Sequence, residues 1–184
     1  MHRFRISILI FLCSTPTFAE SFSPDLQRSE ISFYVPAKIT NVRGYFRMFS
    51  VRDLVFDKKK GITSLRGTVA IDTGSVFTRD RKRDAHLRAD DFFYTEKYPE
   101  ATAKVTDLTL MTADFYQATV VLQIRDKTKT YQIPVKIEAT DKNTLRAMGT
   151  IVVTRGDFDL TGNHVANIIM KDDVEVTFRL VLSR

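Results

Sequence analysis

The sequence predicts an all-β protein, an antiparallel barrel or sandwich of about eight strands with one helical insertion. Three observations predict this class. Apolar and polar residues alternate with period two through most of residues 25–184. Short polar turns, such as Arg125-Asp126-Lys127, separate the alternating segments. No internal repeat, low-complexity tract or Pro/Gly/Ser linker interrupts them, so a single domain is expected.

The predicted strands begin with Ser29–Val35 and Asn41–Lys58. The second stretch is long enough to need a bend, which we expect at Gly44, and it carries Phe46 on its apolar face. The further strands are Ser64–Asp72, 101–112, 114–124, 128–138, 144–154 and 173–182. A barrel of this size is either filled by side chains or holds one small ligand.

A helical insertion is predicted around residues 78–93, where the period-two pattern stops. Ala85, Ala89 and Phe92 recur at helical spacing. The hydroxyl of Thr78 can cap the first turn, because it can accept a hydrogen bond from a free backbone N–H group. A helix inserted between strands can plug one end of a barrel.

Residues 1–19 have the three parts of a secretory signal peptide. Arg3 and Arg5 form a basic start, Ile6–Leu12 is a short apolar run, and small residues lead up to Ala19. We therefore expect cleavage after Ala19, a mature domain of residues 20–184, and a periplasmic or secreted location.

Two alternatives concern the same segment. Lipidation of Cys13 favours a small residue directly before the cysteine, where this chain has Leu12. An uncleaved membrane anchor needs about 20 apolar residues, more than this run offers. If Cys13 leaves with the signal peptide, the exported chain has no cysteine and depends on its packed core rather than on disulfides.

The charge pattern does not favour nucleic acid. Loss of Arg3 and Arg5 lowers the formal charge from +6 to +4. The densest basic cluster, within residues 79–88, is interleaved with aspartates rather than forming a stripe of one sign. A weak association with an anionic membrane surface is compatible with this charge.

No catalytic or metal-binding motif is present. His86 and His164 are the histidines that follow residue 19, and no H-x-H, H-x-x-x-H, H-E-x-x-H or G-x-S-x-G pattern occurs. We expect His86 to have a structural or ligand-contacting role.

The chain has fourteen phenylalanines and no tryptophan. Phenylalanine rings can line a site for a hydrocarbon ligand, or they can fill a packed core. Composition alone does not decide between these two roles.

Several motifs resemble the YceI-like family of polyisoprenoid-binding, lipocalin-like barrels. The most specific is Arg83-Asp84-Ala85-His86-Leu87-Arg88-Ala89-Asp90-Asp91-Phe92-Phe93 followed by Tyr98-Pro99, which is similar to the family's R-D-x-H-L, D-F-F and Y-P motifs in order and spacing. Residues 42–49, 154–158 and 172–176 resemble its first hairpin, its R-x-D-F motif and its closing strand. The resemblance covers nearly all of residues 29–184.

This resemblance implies an eight-stranded antiparallel lipocalin-like barrel that holds a long isoprenoid-type lipid, a quinone or a polyprenyl chain, for transport, storage or an envelope stress response. It implies no catalytic residue, no metal and no cofactor besides the bound lipid. The expected ligand-contacting residues are Phe46, Phe49, Phe56, Arg83, His86, Leu87, Phe92, Phe93 and Phe158. The alternatives are a solid-packed barrel that acts through protein contacts and an enzyme that acts on the bound lipid. The oligomeric state is left open.

N-terminal sequencing of the exported protein tests the signal peptide. We expect the mature chain to begin near Glu20, because the basic, apolar and small-residue parts precede that point in order. A chain that begins at Cys13 with an attached lipid would replace this interpretation with the lipoprotein one.

Overall fold

Eleven β-strands and one α-helix make up most of the part of the chain that the computed structural model describes, residues 22–162 and 170–183. The strands are β1 Ser23–Pro24, β2 Glu30–Val35, β3 Val42–Phe46, β4 Phe49–Val55, β5 Arg66–Asp72, β6 Val76–Phe77, β7 Glu100–Thr112, β8 Phe115–Ile124, β9 Lys127–Asp141, β10 Thr144–Thr154 and β11 Asp173–Ser183. Helix α1 is Arg81–Arg88, and short 3₁₀ turns lie at Ile62–Ser64, Thr73–Ser75 and Arg155–Phe158. The expectations for residues 1–19 and for His164 fall outside the described residues.

The sheet closes on itself. All strand pairs are antiparallel, in the order β4-β5-β7-β8-β9-β10-β11-β2-β3-β6, with β1 beside β11. The β3–β6 and β4–β5 pairs are two halves of one pairing between two long, bent strands. Hydrogen bonds from Arg47 N to the Ser75 carbonyl oxygen (3.2 Å) and from Asp72 N to that of Met48 (3.0 Å) continue this pairing across the bend. With each bent strand taken as one and the two-residue β1 set aside, eight strands surround the interior, and the predicted all-β barrel is confirmed.

The long first hairpin strand bends at Arg47 and Met48, between β3 and β4, rather than at the predicted Gly44. Gly44 serves a different purpose. A Cβ atom at this position would overlap the Phe33 ring and would lie 2.8 Å from the Thr78 methyl carbon. The absence of a side chain therefore lets β3, the Phe33 ring and the segment leading into α1 pack closely together.

Buried apolar side chains occupy the end of the barrel away from α1. They lie in β7, β8, β10 and β11 or directly precede β1 and β5, and they include Phe22, Leu65, Leu108, Tyr116, Leu145 and Leu182. The Phe22 ring contacts that of Phe56 edge-on, with ring centroids 5.2 Å apart. We call this end the floor of the barrel.

Helix α1 covers the other end and is shorter than the predicted insertion. Its N-cap is Asp80, whose side chain accepts hydrogen bonds from the backbone N–H groups of Lys82 and Arg83. The predicted cap, Thr78, instead contacts the buried side chain of Asp84. Both residue types can cap a helix, so local sequence did not distinguish them. No helix in the described residues is long and apolar enough to cross a membrane.

Asp84→Ala should lower the free energy of unfolding by about 2–3 kcal/mol, because it leaves the Thr78 N–H group without its acceptor in a buried site. Chemical denaturation measures this change. Asp90→Ala is the matched control, since Asp90 is exposed, and it should change stability by less than about 0.5 kcal/mol. Equal effects of the two substitutions would contradict a special role of Asp84.

Candidate ligand-binding site

An apolar cavity of about 180 Å³ occupies the barrel interior above the floor. The inward positions of β2, β5, β7, β8, β10 and β11 alternate into it with period two, as the strand pattern predicts. Apart from Arg155, all of its lining residues in the described part of the chain are apolar. Such a lining offers a hydrocarbon chain favourable burial and offers a polar ligand very few partners.

Aromatic rings form the wall nearest to the helix. The Phe46 ring lies 5.7 Å from that of Phe33 and 5.7 Å from that of Phe93, centroid to centroid. Phe92 is buried beside them and contacts the His86 ring edge-on at 5.0 Å. These four phenylalanines line the cavity together with Leu87 of α1.

A second space of about 310 Å³ adjoins the cavity at the helix-covered end, and we call it the mouth pocket. Phe33, Val35, Leu87, Phe92 and Met170 line both spaces, so these side chains form the boundary between them. The mouth pocket adds the polar side chains of α1 that the cavity lacks: Lys82, Arg83 and His86. The interior is therefore apolar at depth and basic at its entrance.

Arg83 and Asp84 fix α1 to the strand that precedes it. Asp84 Oδ1 accepts hydrogen bonds from Thr78 N (2.8 Å) and Thr78 Oγ1 (2.5 Å). Arg83 donates from Nε to Thr78 Oγ1 (2.8 Å) and from Nη2 to the Thr78 carbonyl oxygen (2.9 Å). Arg88, one turn further on, donates to the carbonyl oxygens of Gly74 and Val76. The charged side chains of the central motif thus satisfy backbone groups at a strand end.

His86 pairs with Asp91 across the end of α1. Its Nε2 atom lies 2.8 Å from Asp91 Oδ2 and donates to it, because an ionised carboxylate can only accept. The other carboxylate oxygen, Asp91 Oδ1, is buried and has no hydrogen-bond partner among the described residues. The pair holds the turn after α1, and with it Phe92, against the mouth pocket.

Two arginines outside the predicted site also shape the mouth. Arg125, in the β8–β9 turn, donates to the carbonyl oxygens of Phe92 and Asp159. Arg155 is only 6% exposed and donates to the carbonyl oxygens of Lys171 and Leu160. Burial lowers the pKa of Arg155, and Asp172, 3.8 Å away, opposes that shift. The motif at residues 154–158 singled out Arg155, but its burial depends on carbonyl groups that only the fold brings to it, such as that of Lys171. No local signal pointed to Arg125.

The structure gathers six of the nine predicted ligand-contacting residues around the two spaces. Phe46, Leu87, Phe92 and Phe93 line the cavity, and Arg83 and His86 line the mouth pocket. Phe49, Phe56 and Phe158 line neither space. Phe49 starts β4, Phe56 packs against Phe22 at the floor, and Phe158 is completely buried in the core. Whether any of them contacts a ligand stays a prediction.

The described residues contain no group of three or more His, Cys, Asp or Glu side chains that could hold a metal ion. Around the mouth, the acidic side chains are engaged in capping the helix, in binding Thr78 or in pairing with His86. The cavity can bury an apolar chain, and the mouth pocket offers positive charge at its entrance.

These features define a closed antiparallel barrel with an apolar interior and one helix-covered entrance. The family model of the YceI-like domain matches residues 22–182. The chain belongs to the YceI-like family, and the resemblance seen in its motifs is confirmed. A UPF0312 protein of Staphylococcus epidermidis is 26% identical over 164 residues, which is 88% of this chain and 85% of that protein.

Solved structures share the fold. Burkholderia cenocepacia BcnA has 25% identity and a TM-score of 0.78, over 86% of this chain and 99% of that one. A polyisoprenoid-binding domain from Saccharophagus degradans has 16% identity and a TM-score of 0.72, over 89% and 98%. The Campylobacter jejuni YCEI protein has 23% identity and a TM-score of 0.68, over 80% and 87%.

His86→Ala should lower the free energy of unfolding by about 0.5–1.5 kcal/mol, because the Asp91 carboxylate loses its donor. His86→Gln should retain most of this stability, since a glutamine amide nitrogen reaches a position similar to that of Nε2. Thermal and chemical unfolding of both variants measure the difference. If glutamine destabilises the fold as much as alanine does, the hydrogen bond to Asp91 is not what matters at this position.

Proposed function

We propose that this protein binds an isoprenoid-type lipid, a quinone or a polyprenyl chain, in the barrel cavity and does not transform it. The observation that carries this proposal is the cavity of about 180 Å³, whose lining is apolar apart from Arg155. A barrel evolved only for stability would gain by filling this space, because cavities in a core are destabilising. Membership of the YceI-like family supports the proposal, as does the structural likeness to a polyisoprenoid-binding domain.

The cavity volume bears on the length of the chain that enters. An apolar cavity of about 150 Å³ holds one benzene molecule, so this cavity takes roughly one to two five-carbon units without change. A longer chain requires side chains at the boundary with the mouth pocket to move. Met170 is suited to this, because an unbranched thioether side chain adapts readily to new surroundings.

Export to the periplasm or the outside of the cell belongs to the same proposal, on the strength of the signal-like residues 1–19. A carrier in an aqueous compartment needs to shield its lipid from water, which a barrel with one packed end provides. The solid-packed alternative describes the floor well but leaves the cavity above it without a purpose. The enzyme alternative would need a reactive polar group at depth. The one polar residue in the described lining of the cavity, Arg155, lies at the mouth end and is bound to backbone carbonyls.

Native mass spectrometry of the protein after gentle extraction tests the proposal. We expect an adduct whose mass and fragmentation identify an apolar chain of repeated five-carbon units. Lipid extracted from the protein should be chemically unchanged after incubation. A protein without adduct that also fails to take up an added isoprenoid would support the solid-packed alternative.

Phe46→Asp should abolish uptake of the lipid, because an unpaired carboxylate in the cavity wall is costly to bury. Phe115→Asp is the matched control, since Phe115 is 47% exposed in the β7–β8 hairpin and lines neither space. Circular dichroism shows whether each variant keeps its fold. Full uptake by a folded Phe46→Asp variant would place the lipid elsewhere.

A further inference from the structure

We propose that the lipid bound by this protein carries an anionic head group, a phosphate or a carboxylate, which sits in the mouth pocket and is contacted by Lys82. This inference rests on the proposed lipid-binding function and narrows it, because a quinone head is neutral. All charged or ionisable side chains in the described linings of the cavity and the mouth pocket are basic: Lys82, Arg83, His86 and Arg155.

The four basic residues are not equally available. Arg83 donates to Thr78, Arg155 donates to the backbone carbonyls of Lys171 and Leu160, and His86 is paired with Asp91. Lys82 differs from them. In the described part of the chain its ammonium group makes no hydrogen bond or ion pair, although it attracts the Asp80 carboxylate at longer range. Its side chain is exposed and borders the mouth pocket. The structure therefore assigns Lys82 the direct contact and assigns Arg83 and His86 the positioning of its helix.

The nearby carboxylates do not neutralise this charge from inside the pocket. Asp80 caps α1 and attracts Arg83 and Lys82 from the N-terminal end of the helix, Asp84 is buried against Thr78, and Asp91 faces His86. None of the three lines either space. An anion in the mouth pocket would therefore meet donors on the helix side and apolar side chains towards the barrel. Burying an anion is favourable only where such donors replace water.

The floor determines which way the lipid points. The cavity lining is apolar apart from Arg155, so a polar head is costly to bury there, and the filled far end prevents it from passing through to the other side. The tail therefore occupies the cavity, and the head stays among the basic residues at the entrance. The boundary residues Phe33, Leu87 and Phe92 would contact the first carbons behind the head. The tail would thus lie in the cavity and the head in the adjoining mouth pocket.

Farnesyl phosphate and farnesol test the inference, because they share a tail and differ in the charge of the head. Binding is measured by displacement of the apolar fluorescent probe N-phenyl-1-naphthylamine, with the parent protein and two variants. Lys82→Gln removes the proposed contact. Arg81→Gln is the matched control, since it removes one positive charge from the neighbouring, exposed helix position, which lines neither space.

We expect the parent protein to bind farnesyl phosphate about tenfold more tightly than farnesol, the size of a charge-assisted hydrogen bond. Lys82→Gln should weaken phosphate binding about three- to tenfold and leave farnesol binding within about twofold, since the contact lies at the edge of solvent. Arg81→Gln should change neither. Inorganic phosphate alone should not displace the probe, which distinguishes a lipid head from free phosphate.

Equal binding of the two ligands by the parent protein would overturn the anionic head while leaving the proposed function intact. A preference for phosphate that Lys82→Gln and Arg81→Gln reduce equally would show a diffuse basic field and overturn the assignment to Lys82. If neither ligand displaces the probe, the proposed function itself fails.

Discussion

The entrance to the barrel depends on one buried carboxylate. Asp84 holds the Thr78 N–H and hydroxyl groups, and Arg83 closes the same network from the other side, so α1 is fixed where the bent strand β5–β6 ends. Arg88 extends this attachment by one turn. Hydrogen bonds to a buried charged group are stronger than those between neutral groups, and losing one partner is costly. Leu87, Lys82 and His86 face the two spaces only because this network sets the rotation of the helix.

The same geometry changes how the central motif is interpreted. Its arginines look like ligand-binding groups in the sequence, since a guanidinium suits phosphate and carboxylate. In the structure, Arg83 and Arg88 instead satisfy carbonyl oxygens at a strand end, which the chain would otherwise bury without partners. The motif therefore builds the entrance, and under the proposed function the contact with a ligand would fall to side chains outside this network.

Sequence predicted the barrel well because alternation records which face of each strand is buried. It placed the eight long strands around the interior but missed the two-residue strands β1 and β6, and it recognised that residues 41–58 had to bend. It located the helix but not its start, because Thr78 and Asp80 are both acceptable caps and the choice depends on Asp84. It could not separate Phe46, which borders the cavity, from Phe56 and Phe158, which fill the core, because apolar residues alternate identically in both settings. Arg155 was noted as part of a motif but not as a cavity-lining residue, because its burial against the Lys171 carbonyl depends on the fold.

The division of the interior into a packed floor and an apolar cavity has a consequence for selectivity. A tube open at both ends would accept chains of any length, whereas a closed floor sets a limit on how far a tail can enter. Beyond that limit, each further carbon must either displace boundary side chains or remain at the entrance in contact with water. Each buried CH₂ group contributes about 0.8 kcal/mol, so affinity should rise with chain length until the floor is reached and then level off. Under the proposed function, the floor would limit chain length, and the side chains at the entrance would contact the head group.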